Sequence, residues 1–372
     1  MTVSPNKLKP LLVKKGVCFA LYAYDVGLSI DLERCKKLVA SVNPEATVKH
    51  NRRAPKYFDY RPAPLLITQA VQPLAVGSFP VSVGVDLLLY DFGGVSVSYE
   101  IPFAGSLDTM RAISSELSDS RVLLDDSRAR VEQLMETIRG AVAKPRIADL
   151  TEDYAVFQVD EHETPSRPDE IHVDYAQDLA QVLRAEHGAL SEQEVADALA
   201  CRISFNQDDV TLIDWNAAMV FDREAEDVRA VLEFANVELL EMRYLDHQLD
   251  DSLDRAYEVI STRTGFRRWI PGSAGSSLRT ISQMQVDGAI LFERVSNAPK
   301  LLGDQYLARV YRLAAQRFHL AEWSTSTLRK LDAIETIYNQ MNDRAASWRL
   351  EALEWVIIVL IAFEIVIPFL PK

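Results

Sequence analysis

Asp246, Asp250 and Asp254 stand at i, i+4 and i+8, so on a helix their carboxylates form one ridge. Oxygen ligands in a row suit a hard divalent cation such as Mg²⁺ or Mn²⁺, and a cation held there would support metal-dependent hydrolysis. His247 and Asp251 lie beside the ridge, and Arg243 and Arg255 are within reach of it. Those arginines make a charge-balanced, solvated face the plainer reading. Asp160-Glu161-His162-Glu163 is the other group of carboxylates with an imidazole, and Pro165 and Pro168 beside it suggest a loop. No Ser-His-Asp or Cys-His arrangement is recognisable from spacing, and neither Gly-x-x-x-x-Gly-Lys nor Gly-x-Gly-x-x-Gly occurs. The sequence assigns no catalytic residue, no metal ligand and no cofactor.

A different chemistry is written between His50 and Pro62. Arg52, Arg53, Lys56 and Arg61 alternate there with Tyr57, Phe58 and Tyr60, and the prolines make the stretch a loop. Cations interleaved with stacking aromatics are what a nucleic-acid surface uses. The alternative is that the rings pin the loop to a sheet while the cations stay in water. Charge is uneven along the 372 residues. The first 61 carry +7, from twelve basic and five acidic side chains, so the rest carry −21 of the net −14. That balance excludes a general polyanion binder. Cys18, Cys35 and Cys201 form no Cys-x-x-Cys pair, which fits a reducing compartment. The N-terminal stretch has neither a secretory apolar core nor a transit-peptide composition.

The elements that would position these groups follow from periodicity. Val17–Tyr24 reads as a first strand and Asp31–Val39 as a helix. Val83–Tyr90 and Val95–Ile101, joined by Asp91-Phe92-Gly93-Gly94, predict a hairpin whose glycines supply positive φ. Leu107–Leu117 and Val131–Ile138 have helical spacing, Ala155–Val159 is a strand, and Tyr175–Arg184 is a helix. Ser191 with Glu194 is a capping box, and Ile203–Phe205 with Val210–Ile213 is a second hairpin. Asp227–Ile260 predicts one long amphipathic helix, and Pro271–Ser277 a boundary. Tyr306, Leu313, Leu320, Thr327, Ile334, Met341, Trp348 and Trp355 share a seven-residue register, the pattern of a long helix that supercoils on a partner. A helical hairpin bent at Ser324–Thr327 is the alternative.

Ala352–Leu370 is apolar except for Glu354, Glu364 and Pro368. As a helix it would be roughly 28 Å long, near the ~30 Å core of a bilayer. Arg344 and Arg349 before it predict that the preceding chain is cytoplasmic.

Three stretches together resemble the "required for meiotic nuclear division" family, which shares domain of unknown function 155. They are Leu88-Leu89-Tyr90-Asp91-Phe92-Gly93-Gly94-Val95-Ser96-Val97, Asp287-Gly288-Ala289-Ile290-Leu291-Phe292-Glu293-Arg294-Val295-Ser296-Asn297, and Leu353-Glu354-Trp355-Val356-Ile357-Ile358-Val359-Leu360-Ile361-Ala362-Phe363-Glu364. The resemblance implies an α+β body, a helical stalk and one C-terminal membrane helix, with support of organellar translation in eukaryotic relatives. Without a transit peptide, a bacterial inner-membrane member is the expectation.

The reading of the whole chain is α+β. It has an antiparallel-sheet body with covering helices at 1–270, a helical stalk at 271–350, and a transmembrane helix at 351–370. The expected function is a membrane-anchored, self-associating scaffold, not an enzyme. Its expected partners are membrane lipid and further copies of itself. Leu313, Ile334 and Met341 would make stalk contacts, and Trp355 and Glu364 membrane-helix contacts. A nucleic-acid- or ribosome-contacting factor using Arg52, Arg53, Lys56 and Arg61 is the alternative, and the hydrolase at the acidic ridge the second.

Overall fold

Val17–Tyr24 is apolar or aromatic at every position. A strand tolerates that only when both faces of its sheet are covered. The computed structural model, which describes residues 10–42, 47–50, 62–70, 72–164, 167, 170–261, 286, 288–290, 292–293 and 304–366, has this arrangement. The segment is the middle of β1 (Leu12–Asp25).

After β1 come β2 (Ser29–Ile30), α1 (Leu32–Val42), β3 (Thr47–His50), β4 (Leu65–Ala70), β5 (Ala75–Val76), β6 (Phe79–Pro80), β7 (Gly84–Leu89) and β8 (Gly94–Ser106). Next are α2 (Leu107–Asp119), α3 (Val122–Ile138), β9 (Val142–Ala143), β10 (Thr151–Glu163), α4 (Ile171–Asp174), α5 (Ala176–Arg184) and α6 (Glu192–Ala198). The chain continues through β11 (Cys201–Ile203), β12 (Val210–Ile213), β13 (Ala217–Phe221), α7 (Glu226–Ser261), α8 (Gln305–Arg317) and α9 (Leu320–Val366).

Nine strands form one sheet in the order β11-β12-β13-β10-β1-β8-β7-β4-β3. All neighbours are antiparallel except β10 and β13, which run parallel. Successive side chains of a strand point to opposite faces, and the central strands show this directly. Cys18, Ala20, Tyr22 and Tyr24 of β1 enter one core with Phe157 and Val159 of β10 and with residues of α2, α3 and α5. Phe19 and Leu21 enter the other with Tyr154 and Val156, the first half of α7, and α8. Ser191 caps α6 as its spacing predicts, accepting from the Glu194 N–H at 3.2 Å.

Chain contacts divide the molecule into two units, Met1–Tyr244 with Glu293–Trp323, and Leu245–Phe292 with Ser324–Lys372. The sheet lies in the first. In the second, Ile334 and Thr327 of α9 are fully buried, as is Leu249 of α7.

Three expectations change. The seven-residue register does not run through one helix, because α8 ends at Arg317 and His319 takes φ +51° before α9 starts. Phe318 causes the break: it is fully buried, edge-on to Tyr154 at 5.2 Å and stacked on Trp215. Asp160–Glu163 is not a loop but the end of β10, where Glu161, His162 and Glu163 pair with Lys15, Val13 and Leu12 across an irregular ladder, held by the Lys15–Asp160 and Lys14–Glu163 ion pairs at 2.9 and 3.3 Å.

The third change is the largest. Among the described residues no helix is long and apolar enough to cross a membrane. The last eighteen residues of α9 as described, up to Val366, contain Arg349, Glu351, Glu354 and Glu364. The uncharged apolar stretch between Glu354 and Glu364 would span only about 14 Å, roughly half a hydrocarbon core. The expected fold ending in a transmembrane helix at 351–370 is therefore overturned, together with the single-pass anchor and the inner-membrane location.

Candidate functional site

The acidic ridge on α7 is occupied by the chain itself. The Lys330 ammonium of α9 lies 2.8 Å from Asp246 and 2.6 Å from Asp250, and the Ser326 hydroxyl donates to Asp246 at 2.8 Å. Asp254 is exposed beyond this cluster. Among the described residues, no group of three or more His, Cys, Asp or Glu side chains could hold a metal ion.

Asp160, Glu161 and His162 line an open cleft of about 860 Å³ in the first unit, between the ends of β10 and β13 and the start of α8. Asp208, Asp209, Asp222, Glu224, Asp227 and Asp304 add carboxylates, against the cations Lys14 and Arg223. Such a cleft favours cations. Much of its charge is engaged. Asp209 accepts from the Phe205 and Asn206 N–H groups at 2.9 and 2.7 Å, and Arg223 pairs with Glu161 at 3.6 Å. His162 lies edge-on to Phe221 at 5.7 Å, and burial lowers its pKa, so the ring is neutral at pH 7.

The most unusual chemistry is inside. Asp25 ends β1 and Glu241 sits on α7, each 1% exposed and within hydrogen-bonding reach of the other. Among the described residues none of their four carboxyl oxygens meets a hydrogen-bond donor in good geometry. The Arg146 guanidinium stands 3.6 Å from Asp25 and over the Tyr244 ring at 4.6 Å. Burial raises the pKa of both acids, the mutual repulsion raises that of Glu241 further, and Arg146 pulls both the other way.

The glycine turn makes room for this pair. Gly93 has φ +110°, and a Cβ there would lie 1.9 Å from the Gly27 carbonyl oxygen. Gly94 serves a different purpose. It faces Asp25 across the β1–β8 ladder, and a Cβ on it would meet Val237 at 2.6 Å and the Glu241 carboxylate at 3.3 Å. Close passage of α7 thus depends on Gly94, and the positive φ of the turn on Gly93.

Further buried acids lie nearby. Glu238 accepts from the Tyr311 hydroxyl of α8 at 2.7 Å, and burial pushes its pKa up to about 8. Glu152 of β10 is pushed by burial to about 7, opposed by its ion pair with Arg243. These acids escaped the sequence reading because helical spacing assigns Glu238 and Glu241 to a solvent face. The available signal was that Val237, Leu240 and Leu245 leave this part of α7 no polar side.

The other expected contacts are scattered. Leu313 packs against the core shared by α7 and α8. Ile334 is buried within its own unit, and Trp355 is 67% exposed on α9. Met341 and Glu364 lie on α9, but their side chains are outside the described residues, as is the whole basic stretch with Arg52, Arg53, Lys56 and Arg61.

The sheet and the carboxyl pair fall largely within a recognisable family. The profile described as "Uncharacterized protein MJ0711, N-terminal domain" matches residues 15–227, more than half the chain. The chain belongs to that family. It is 22% identical to Uncharacterized protein MJ0711 of Methanocaldococcus jannaschii over 238 residues, which cover 63% of this chain and 71% of that protein. No solved structure matches. The family match contains Asp25 and both turn glycines and ends in the first turn of α7, before Glu241. It bears neither for nor against kinship with the meiotic nuclear division family.

Proposed function

We propose that this chain is a self-associating scaffold, assembled through the outer part of α9. One observation carries the reading. Leu353–Phe363 is exposed at all eleven positions, and nine of them are large and apolar: Leu353, Trp355, Val356, Ile357, Ile358, Val359, Leu360, Ile361 and Phe363. Eleven helical residues make three turns, so this surface is apolar all round the helix. Contiguous exposed apolar surface of this kind marks an association site, and a helix apolar on every side needs neighbours on more than one side.

The occupant proposed is the same segment of further copies. The seven-residue stripe that contains Ile334 runs on through Met341 and Trp348 to Trp355. Its inner part is covered at Ile334 by the chain's own unit, and its outer part is bare at Trp355. The register that packs α9 internally therefore continues into the bare segment, as in a helical bundle. Covering a half-exposed large side chain contributes on the order of 1 kcal/mol, so nine together outweigh an association cost of about 4–15 kcal/mol only when several helices share the burial. Engagement of Asp246 and Asp250 by Lys330 supports a structural reading of the acidic ridge over a hydrolytic one.

Sedimentation equilibrium of the full chain at micromolar concentration tests this. The expected species is a multiple of 41.9 kDa. Replacing Ile357, Leu360 and Ile361 together by Gln is expected to return it to a monomer while leaving the unfolding of the sheet unit unchanged. An intact chain that sediments as a monomer contradicts the proposal.

A further inference from the structure

We infer that Asp25 and Glu241 share a single proton and act as a pH-sensitive latch that fastens α7 to the end of the central strand. Two ionised carboxylates offer only acceptors to one another. Both groups are 1% exposed, and among the described residues none of their four oxygens accepts a hydrogen bond in good geometry, although the Gly27 N–H and the Arg146 guanidinium lie near Asp25. Leaving such groups ionised and unpaired in the interior is costly, and the usual resolution is that one keeps its proton. One proton turns the clash into a hydrogen bond and leaves the pair with a single negative charge, which the Arg146 guanidinium at 3.6 Å balances.

A divalent cation is the competing occupant. It needs about six oxygen ligands, the pair supplies two carboxylates, and a guanidinium already stands beside one of them. A proton has no such requirement.

The charged and titratable groups facing the pair are few. Arg146, between β9 and β10, faces both acids, and each acid faces the other from β1 and α7. No charge comes from β8, where Gly94 leaves the gap. Glu238 and Glu152 titrate at separate contacts, with Tyr311 and Arg243. The sign follows from the direction of the shift. Carboxyls raised above their unfolded range contribute stability at low pH, and that stability is lost as pH rises through the folded values. Over that window, from the ordinary carboxylate range upward through neutrality, one linked proton changes the folded-to-unfolded ratio by about tenfold per pH unit. Loss of the proton puts two adjacent charges under α7 and loosens it first at Glu241.

The test uses the full chain. Hydrogen exchange of the amides in 230–244 is expected to accelerate as pH rises above neutrality, beyond the intrinsic pH dependence of exchange. Glu241→Gln, which donates permanently to Asp25, is expected to remove most of that excess, whereas Glu238→Gln removes only the share of its own buried carboxyl. The infrared spectrum of the unsubstituted protein at neutral pH is expected to show the carbonyl stretch of protonated carboxyls, and Glu241→Gln is expected to lose the share beyond what Glu238 and Glu152 contribute. Absence of that band in the folded, unsubstituted protein overturns the inference even if the variant fails to fold. So does an excess exchange rate that Glu241→Gln leaves intact. Added Mg²⁺ that protects these amides at high pH in the unsubstituted chain but not in Glu241→Gln would show a cation in place of the proton and overturn it equally.

Discussion

Asp214 is 1% exposed and accepts from Arg184 at 3.0 Å and from Arg317 at 2.7 Å, while Asp197 takes further nitrogens of both guanidiniums. These four side chains join α5, α6 and α8 to the end of β12. Removing one partner of a buried pair leaves the others uncompensated, so Asp214→Ala is expected to lower the unfolding free energy by about 3 kcal/mol in urea denaturation. Asp197 responds to pH in the opposite sense to the carboxyl pair. Hydrogen bonds from Arg317 and Arg184 hold its pKa down to about 2, so its contribution is present above the ordinary aspartate range and lost as pH falls toward that value. The fold should thus weaken at both ends of the pH range, with Arg317→Ala flattening only the acid limb of a stability profile. Gly94→Ala is expected to cost about 2 kcal/mol, because its methyl has no space beside Val237. At this scale little was legible in the sequence. Nothing in the spacing of 184, 197, 214 and 317 announces that they meet, since partners so far apart are chosen by topology.

Elements were far more legible. The hairpin around Gly93, the Ser191 cap on α6 and the long helix α7 all have local causes, and local causes leave local patterns. The misreadings share one physical origin, which is that local periodicity records neither the pairing nor the burial that distant partners impose. Asp160–Glu163 is polar on both sides yet stays in the ladder, because Lys14 and Lys15 of the neighbouring strand pair with it. Glu241 falls on the polar side of a pattern that the fold buries completely. The acidic ridge was visible as a ridge, but its partner Lys330 lies eighty residues away from Asp250. With that ammonium between Asp246 and Asp250, millimolar Mg²⁺ or Mn²⁺ is expected to leave the thermal midpoint unchanged. Lys330→Ala is expected to destabilise the second unit by about 1 kcal/mol in the same scan, since both acids lose a half-buried partner. A midpoint raised by the metal in the unsubstituted protein would instead support a cation site.

At the scale of the whole molecule, the chain joins a sheet unit covered on both faces to a second unit whose α9 leaves its outer segment bare. The long apolar run was legible from the sequence. Its membrane meaning was not secure there, because length and dryness have to be judged on the helix that forms. α9, described as far as Val366, carries Glu354 and Glu364 in its final turns, and among the described residues no helix is long and apolar enough to cross a membrane. What remains is apolar surface that water disfavours and that other copies of the same helix are proposed to cover. The mass of the full chain in detergent-free buffer, measured by sedimentation equilibrium across a micromolar concentration series, tests that account most directly. Self-association through α9 predicts a species at a fixed multiple of 41.9 kDa that collapses to the monomer when Ile357, Leu360 and Ile361 become Gln. A single 41.9 kDa species at every concentration, unchanged by those substitutions, would contradict it.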